Sequence, residues 1–169
     1  MQLTHYNSKF KQQKFPITIV CDNITNAPNI GSLFRIADAF GVEKILFCGT
    51  NISLSRKMAK TSRATENYVN YEIKDSALNE TELLTKMGYQ IIALEITHSS
   101  KPIHEHSFSS ANPIALIIGD ENFGISEALL ELVSETIHIE MFGKNSSMNV
   151  VQATNIALYE ITKQLNIDA

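Results

Sequence analysis

Short apolar runs recur along this chain with helical patterns between them, and that alternation constrains the fold more than any other feature. The runs are ITIVCD (17–22), KILFCG (44–49), NYVNYEI (67–73), YQIIALEI (89–96), IALIIGD (114–120) and TIHIEM (136–141). Most are β-branched and continuously apolar rather than alternating, which is the pattern of strands covered on both faces. A first helix is predicted from an N-cap at Asn29 to Gly41. A second runs from Asp75, with Leu78, Leu83, Leu84 and Met87 on one side, and stops at Gly88. A short one follows Ser126, and the longest runs from about Ser147 to Leu165. These are ordinary cap and stop signals. Strand and helix alternating in this way predict an α/β fold, a mostly parallel sheet flanked by helices.

At 169 residues the chain suits a single domain, 1–169, with no repeat, linker or low-complexity tract. No apolar run approaches the roughly 20 residues of a membrane helix, and the start, MQLTHYNSKFKQQKF, lacks the apolar centre of a signal peptide. A soluble, cytoplasmic protein with no membrane partner is therefore expected. Cys21 and Cys48 each end an apolar run, so they read as buried thiols rather than a disulfide or metal pair. His104 and His106 alternate in a loop with no further ligands, so no metal is expected. The net charge of −4 does not advertise a nucleic-acid binder, but phosphate binding needs only a local basic surface. Lys9, Lys11 and Lys14 crowd the N-terminus, and SRKMAKTSR carries Arg56, Lys57, Lys60 and Arg63 with no acid among them. That cluster is either a solvated face or an RNA-facing patch.

Ligands of open parallel sheets bind beyond the carboxyl ends of the strands, and three unusual segments lie there. DNITNAPNIGSLFR follows the first strand; it has no Gly-x-Gly-x-x-Gly, which argues against a dinucleotide site. Arg35 in its helix falls opposite the apolar side formed by Ile30, Leu33, Phe34, Ala37 and Phe40, as an ordinary solvated arginine would. IIGDENFGIS brackets Glu121 between Gly119 and Gly124, either a plain turn or a close approach to a ligand. IEMFGKNSSMNVVQATNIALYE leads from the sixth run through a polar loop into the last helix, where Ser147 and Asn149 suit a cap and first turn.

Together these segments resemble the SpoU-type (TrmH-like) RNA 2′-O-ribose methyltransferases of the SPOUT superfamily. NAPNIGSLFRIADAFGV resembles that family's first motif, an asparagine six residues before an arginine; IIGDENFGIS its Gly-x-Glu-x-x-Gly; and the third segment its Ile-x-Met-x-Gly followed by Ser-Leu-Asn-Val. Met148 stands where the family often has leucine, and Glu140 where many members have proline. The resemblance implies a SPOUT fold with a C-terminal trefoil knot, which topology rules alone would not predict. It implies S-adenosyl-L-methionine as methyl donor, held by Leu94, Glu95, Gly119, Ile139, Met141, Ser147 and Met148. It implies a homodimer packing through the first and last helices, and an RNA partner. The compact chain is more similar to tRNA-modifying members than to the larger rRNA-modifying ones.

The resemblance also implies a catalytic set of Arg35, Asn29, Glu121, Ser147 and Asn149, with Arg56, Lys57, Lys60 and Arg63 contacting RNA backbone. Methyl transfer to a ribose hydroxyl needs an aligned electrophile, a nucleophile relieved of its proton and a clamp on the neighbouring phosphate. Arginine's planar fork suits the clamp, whereas a guanidinium with a pKa above about 12 is a poor base. Competing readings are an rRNA methyltransferase, a non-catalytic RNA-binding protein on the same scaffold, and a flavodoxin-like module.

Overall fold

The computed structural model describes residues 10–145 and 147–167, so Lys9 lies outside the described residues. Seven parallel strands form one sheet in the order β3-β2-β1-β6-β4-β7-β5. They are β1 (Phe15–Asp22), β2 (Val42–Cys48), β3 (Asn70–Lys74), β4 (Gln90–Leu94), β5 (Lys101–Pro102), β6 (Ile114–Gly119) and β7 (Glu135–His138). Each expected run supplies a strand. The additional β5 is only two residues long, and the run expected from 67 to 73 begins later, because Thr65–Asn67 forms a 3₁₀ turn.

The central strands are covered on both faces, as their continuous apolarity requires. On one face Ile17, Ile19 and Cys21 of β1 join Leu116 and Ile118 of β6. The helices α1 (Ala27–Ala39), α2 (Arg56–Ser62) and α5 (Val150–Ile167) lie on this side. On the other, Val20, Cys48, Ala115 and Ile117 pack with α3 (Ala77–Lys86) and α4 (Glu127–Leu130). Cys21 and Cys48 therefore sit in different layers and are both free and buried. No helix among the described residues is long and apolar enough to cross a membrane.

Three helix expectations need correction. The cap of α1 is Asn26, whose side chain accepts from the Asn29 amide at 3.1 Å, and Pro28 occupies the first turn, where its missing N–H costs nothing. In α3 the buried stripe is Ala77, Thr81 and Leu84, while Leu83 and Met87 are exposed. Small residues at 77 and 81 let the helix approach the sheet on that side, so Leu84 is buried and Leu78 packs against the core while Leu83 and Met87 face outward. α5 is capped by Asn149 rather than Ser147.

α2 carries only one large apolar residue, Met58, and no apolar stripe announces it. It is held against α1 at Gly31, where a Cβ would fall onto Thr61 Oγ1 and the Met58 carbonyl. Met58 and Ser62 are its buried residues. At 100° per residue Arg56 and Lys60 share the opposite, exposed side, with Lys57 next to them, and Arg63, the left-handed residue just past the helix, is exposed as well.

Candidate active site

β1, β6 and β7 all run the same way, so the loops that follow them gather at one edge of the sheet. Asn149, on the loop after β7, ties three of these segments together. Its Oδ1 accepts from the amides of Val151 at 2.9 Å and Gln152 at 3.4 Å, capping α5. Its Nδ2 donates to Asn29 Oδ1 at 3.4 Å and to Glu121 Oε1. One carboxamide thereby uses both acceptor sites and both donor hydrogens, which fixes its orientation. Asn29 is nearly buried in the first turn of α1, and Glu121 is exposed on the turn after β6.

Beside this cluster lies a cleft of about 410 Å³. Leu94, Glu95, Gly119, Ile139, Met141, Ser147 and Met148 all line it, together with Glu121. Sequence reasoning missed Asp120, His138 and Val150, which also line it; their position one residue from a motif residue or strand end was the available signal. The floor depends on two glycines. A Cβ on Gly119 would overlap the Gly124 backbone, and Gly124 has φ +67° with its Cβ position 2.6 Å from Glu95 Oε2. Glu95 is committed to holding this turn: Oε2 accepts from the Ile125 amide at 3.1 Å, and Oε1 from the Ile96 amide at 2.9 Å.

Not every expected residue reaches the cleft. Ser147 does, on an exposed part of the lining, although Asn149 and not Ser147 caps α5. Arg35 lines neither this cleft nor the cavity beside it. Six residues along α1 place it about 9 Å from Asn29 along the helix axis and turned away by about 120°. It is exposed, and among the described residues no acceptor pairs with it. Arg56, Lys57, Lys60 and Arg63 are exposed together on and just beyond α2. His106 is buried against Phe108, its Nδ1 2.9 Å from Glu135 Oε2, and among the described residues no group of three or more candidate metal ligands occurs.

Residues 16–159 match the SpoU rRNA Methylase family. The chain belongs to that family. Over 154 residues it is 27% identical to a SpoU relative from Aquifex aeolicus named tRNA (guanosine(18)-2′-O)-methyltransferase, covering 91% of this chain and 72% of the relative. The crystal structure of the Aquifex aeolicus TrmH/SpoU tRNA modifying enzyme superposes with a TM-score of 0.83 at 25% identity, covering 93% of this chain and 79% of that one. The SpoU methyltransferase AviRb of Streptomyces viridochromogenes, solved with the cofactor AdoMet, gives 0.77 at 26% identity, covering 94% of this chain and 63% of that one. Other curated SpoU relatives are longer: this chain spans about three fifths of those from Staphylococcus saprophyticus (61%) and Escherichia coli (63%).

The cleft fits such a cofactor on its own chemistry. Leu94, Ile139, Met141, Met148 and Val150 offer apolar walls, and the volume suits a small molecule. The ionisable carboxylates on the lining are Glu95, Asp120 and Glu121, with no lysine or arginine among the described lining residues. An anion would be repelled there, whereas a sulfonium-bearing ligand is favoured.

Proposed function

We propose that this chain is an S-adenosylmethionine-dependent RNA 2′-O-ribose methyltransferase, a single-domain cytoplasmic homodimer acting on tRNA in preference to rRNA. The observation that carries the reading is Asn149, which joins Asn29 and Glu121 at the cleft through one fully used carboxamide. A helix cap alone would need only the Oδ1 half of that arrangement. S-adenosylmethionine, when bound, supplies an electrophilic methyl group, and Leu94, Glu95, Gly119, Ile139, Met141, Ser147 and Met148 would hold it.

The remaining work falls to polar side chains. Asn29, Glu121, Ser147 and Asn149 orient the ribose hydroxyl and the loops by hydrogen bonding. Arg35, exposed and without an acceptor among the described residues, holds an RNA phosphate with its fork and stabilises the charge that develops as the hydroxyl loses its proton to phosphate or water. Arg56 and Lys57 support an RNA-facing α2, because cations in a first helical turn oppose the helix dipole and are disfavoured without an external anion. Lys60 and Arg63 extend the same face.

Exposed Ile156 and Tyr159 on α5 supply apolar surface for a second copy, whose packing would bring Arg35 toward a cleft it does not reach in its own chain. The expected knot has support in the topology. β4 and β5 flank β7 on opposite sides, yet residues 95–100 join them directly, so the chain leaving β7 has that short bridge across its path.

The test is transfer of labelled methyl from S-adenosylmethionine to separated tRNA and rRNA fractions lacking the modification, with Arg35→Ala alongside. Label entering tRNA and lost in Arg35→Ala is the expected result. Label in rRNA alone would move the substrate, and no label in either, from protein that binds both S-adenosylmethionine and RNA, would favour the non-catalytic reading.

A further inference from the structure

A second cavity of about 480 Å³ adjoins the cleft and shares Asp120 and Gly124 with it. Asp22, Asn23 and Thr25 line it from the end of β1, and Asn122 and Phe123 from the turn after β6. The turn is built to present Phe123. Asp120 Oδ1 accepts from the amides of Asn122 at 2.8 Å and Phe123 at 3.3 Å, and the Phe123 ring is 90% exposed. A lone exposed aromatic needs no explanation, but this one stands at the rim of a cavity on a braced turn.

The charge of the lining restricts the occupant. Among the described residues of the lining Asp22 and Asp120 are the ionisable ones and no cation accompanies them, so a phosphate would be repelled. Asp22 is spent internally, accepting from the Ser126 amide and Asn23 Nδ2, both at 3.0 Å. Asp120 Oδ2 accepts no bond from any described residue, and the carboxamide of Asn122 adds both a donor and an acceptor. A flat, uncharged ring with N–H donors on its edge meets all three features: an aromatic platform, a free carboxylate oxygen and an amide.

We propose that this cavity receives an RNA nucleobase, stacked on Phe123 and hydrogen-bonded by Asp120 and Asn122. The inference rests on the methyltransferase reading for its use, since a base held there keeps its ribose beside the wall shared with the cleft. Enzymes that modify a nucleotide outside a duplex read the extruded base by stacking and edge contacts of this kind.

The direct experiment titrates amide resonances of the full chain with each of the four nucleosides, with S-adenosylhomocysteine present to fill the first cleft. Phosphate-free nucleosides exclude a contribution from the basic face. Shifts at Asn122, Phe123 and Gly124 are expected for at least one nucleoside. Phe123→Ala should weaken that binding by roughly tenfold or more, as loss of a stacking platform does, and Phe123→Tyr should restore it. Asp120→Asn, which keeps the Oδ1 acceptor of the turn but replaces the free oxygen with a donor, should reorder the four affinities. In methyl-transfer assays Phe123→Ala should raise KM for RNA by a similar factor and leave S-adenosylmethionine affinity unchanged. Saturating nucleoside that leaves those three amides unmoved would overturn the proposal. So would a Phe123→Ala protein that binds nucleoside like wild type. Nucleoside binding with no methyl transfer by wild type would instead retain the base site and sink the catalytic reading.

Discussion

Replacing Asn149 separates two jobs that one side chain performs. Asn149→Ala removes the cap from α5 and the link between Asn29 and Glu121 together. Loss of an asparagine cap costs about 1 kcal/mol, within a range of about 0.5–2. For a chain of this size that corresponds to a melting temperature lowered by about 2–4 °C. The link adds little to stability, because Glu121 is exposed and its hydrogen bond competes with water. Asn149→Asp keeps the acceptor for Val151 and Gln152 and adds a negative charge at a helix N-terminus, worth about 0.3–1 kcal/mol. It also turns the donor into a second carboxylate oxygen facing Glu121. The charge gain and the repulsion from Glu121 oppose each other, so the aspartate variant should melt within about 2 °C of wild type, while both variants lose methyl transfer by about a hundredfold or more. Thermal melts and single-turnover transfer from S-adenosylmethionine read the two effects independently. Wild-type activity in Asn149→Asp would refute the role of the Nδ2 links, and an unchanged melting temperature in Asn149→Ala would refute the cap.

Three other perturbations follow from local geometry. Burial, then the charges of Glu80 and Asp22, push the Cys48 thiol up to about 12, with Lys74 opposing; burial raises Cys21 well above its ordinary value too. At pH 8 only about one Cys48 in ten thousand is thiolate, so a disulfide reagent should titrate no rapid thiol until the protein unfolds, and one fast equivalent would contradict the layered burial. Hydrogen bonds from Lys44 at 2.6 Å and Lys74 at 2.7 Å pull Glu72 down to about 2. Its folded pKa lies below its unfolded one, so its contribution is present above about pH 4.5 and lost as pH falls toward 2. The melting difference between wild type and Glu72→Gln should shrink over that window and in high salt, and a difference that grows on acidification would refute the pairing. Gly31→Ala puts a methyl on the Met58 carbonyl, an overpacking cost of about 1–3 kcal/mol against a helix-propensity gain of about 1. Its melting temperature should fall and its RNA affinity weaken as α2 is displaced, both visible in melts and filter binding.

How far the sequence announces this fold depends on how each element earns its burial. β1 and β6 are covered on both faces and must be apolar throughout, so ITIVCD and IALIIGD declare themselves. α2 declares nothing, because it is seated by a backbone approach at Gly31 rather than by its own side chains. The same physics misplaces the buried side of α3. Leu83 and Met87 look like core by hydrophobicity, but the small Ala77 and Thr81 decide which side can come close to the sheet. A cap is legible only when its competitors are weighed: Pro28 places the start of α1 before Asn29, and only the reach to Val151 and Gln152 selects Asn149 over Ser147 for α5.

The candidate site divides along the same line. Residues 29, 121 and 149 can be brought together from sequence because parallel strands deliver their following loops to one edge. The second cavity cannot, since Asn23, Thr25 and Phe123 fall between the recognisable motif positions and become neighbours only when β1 pairs with β6. Arg35 is the opposite case. A helical wheel reports what a helix buries within its own chain, and on that measure a solvated arginine and one reserved for an external phosphate look alike. The structure keeps the measure unchanged: Arg35 is exposed, unpaired among the described residues and absent from both cavities. The residues around it carry the difference. Asn29, six residues earlier on the same helix, is held inside the cluster with Asn149 and Glu121, and Gly31 seats the basic α2 against the same helix. The proposed phosphate clamp gives that placement a use, on the helix that joins the cleft to the basic α2, and loss of methyl transfer in Arg35→Ala with an unchanged melting temperature is the result that separates it from an ordinary surface arginine.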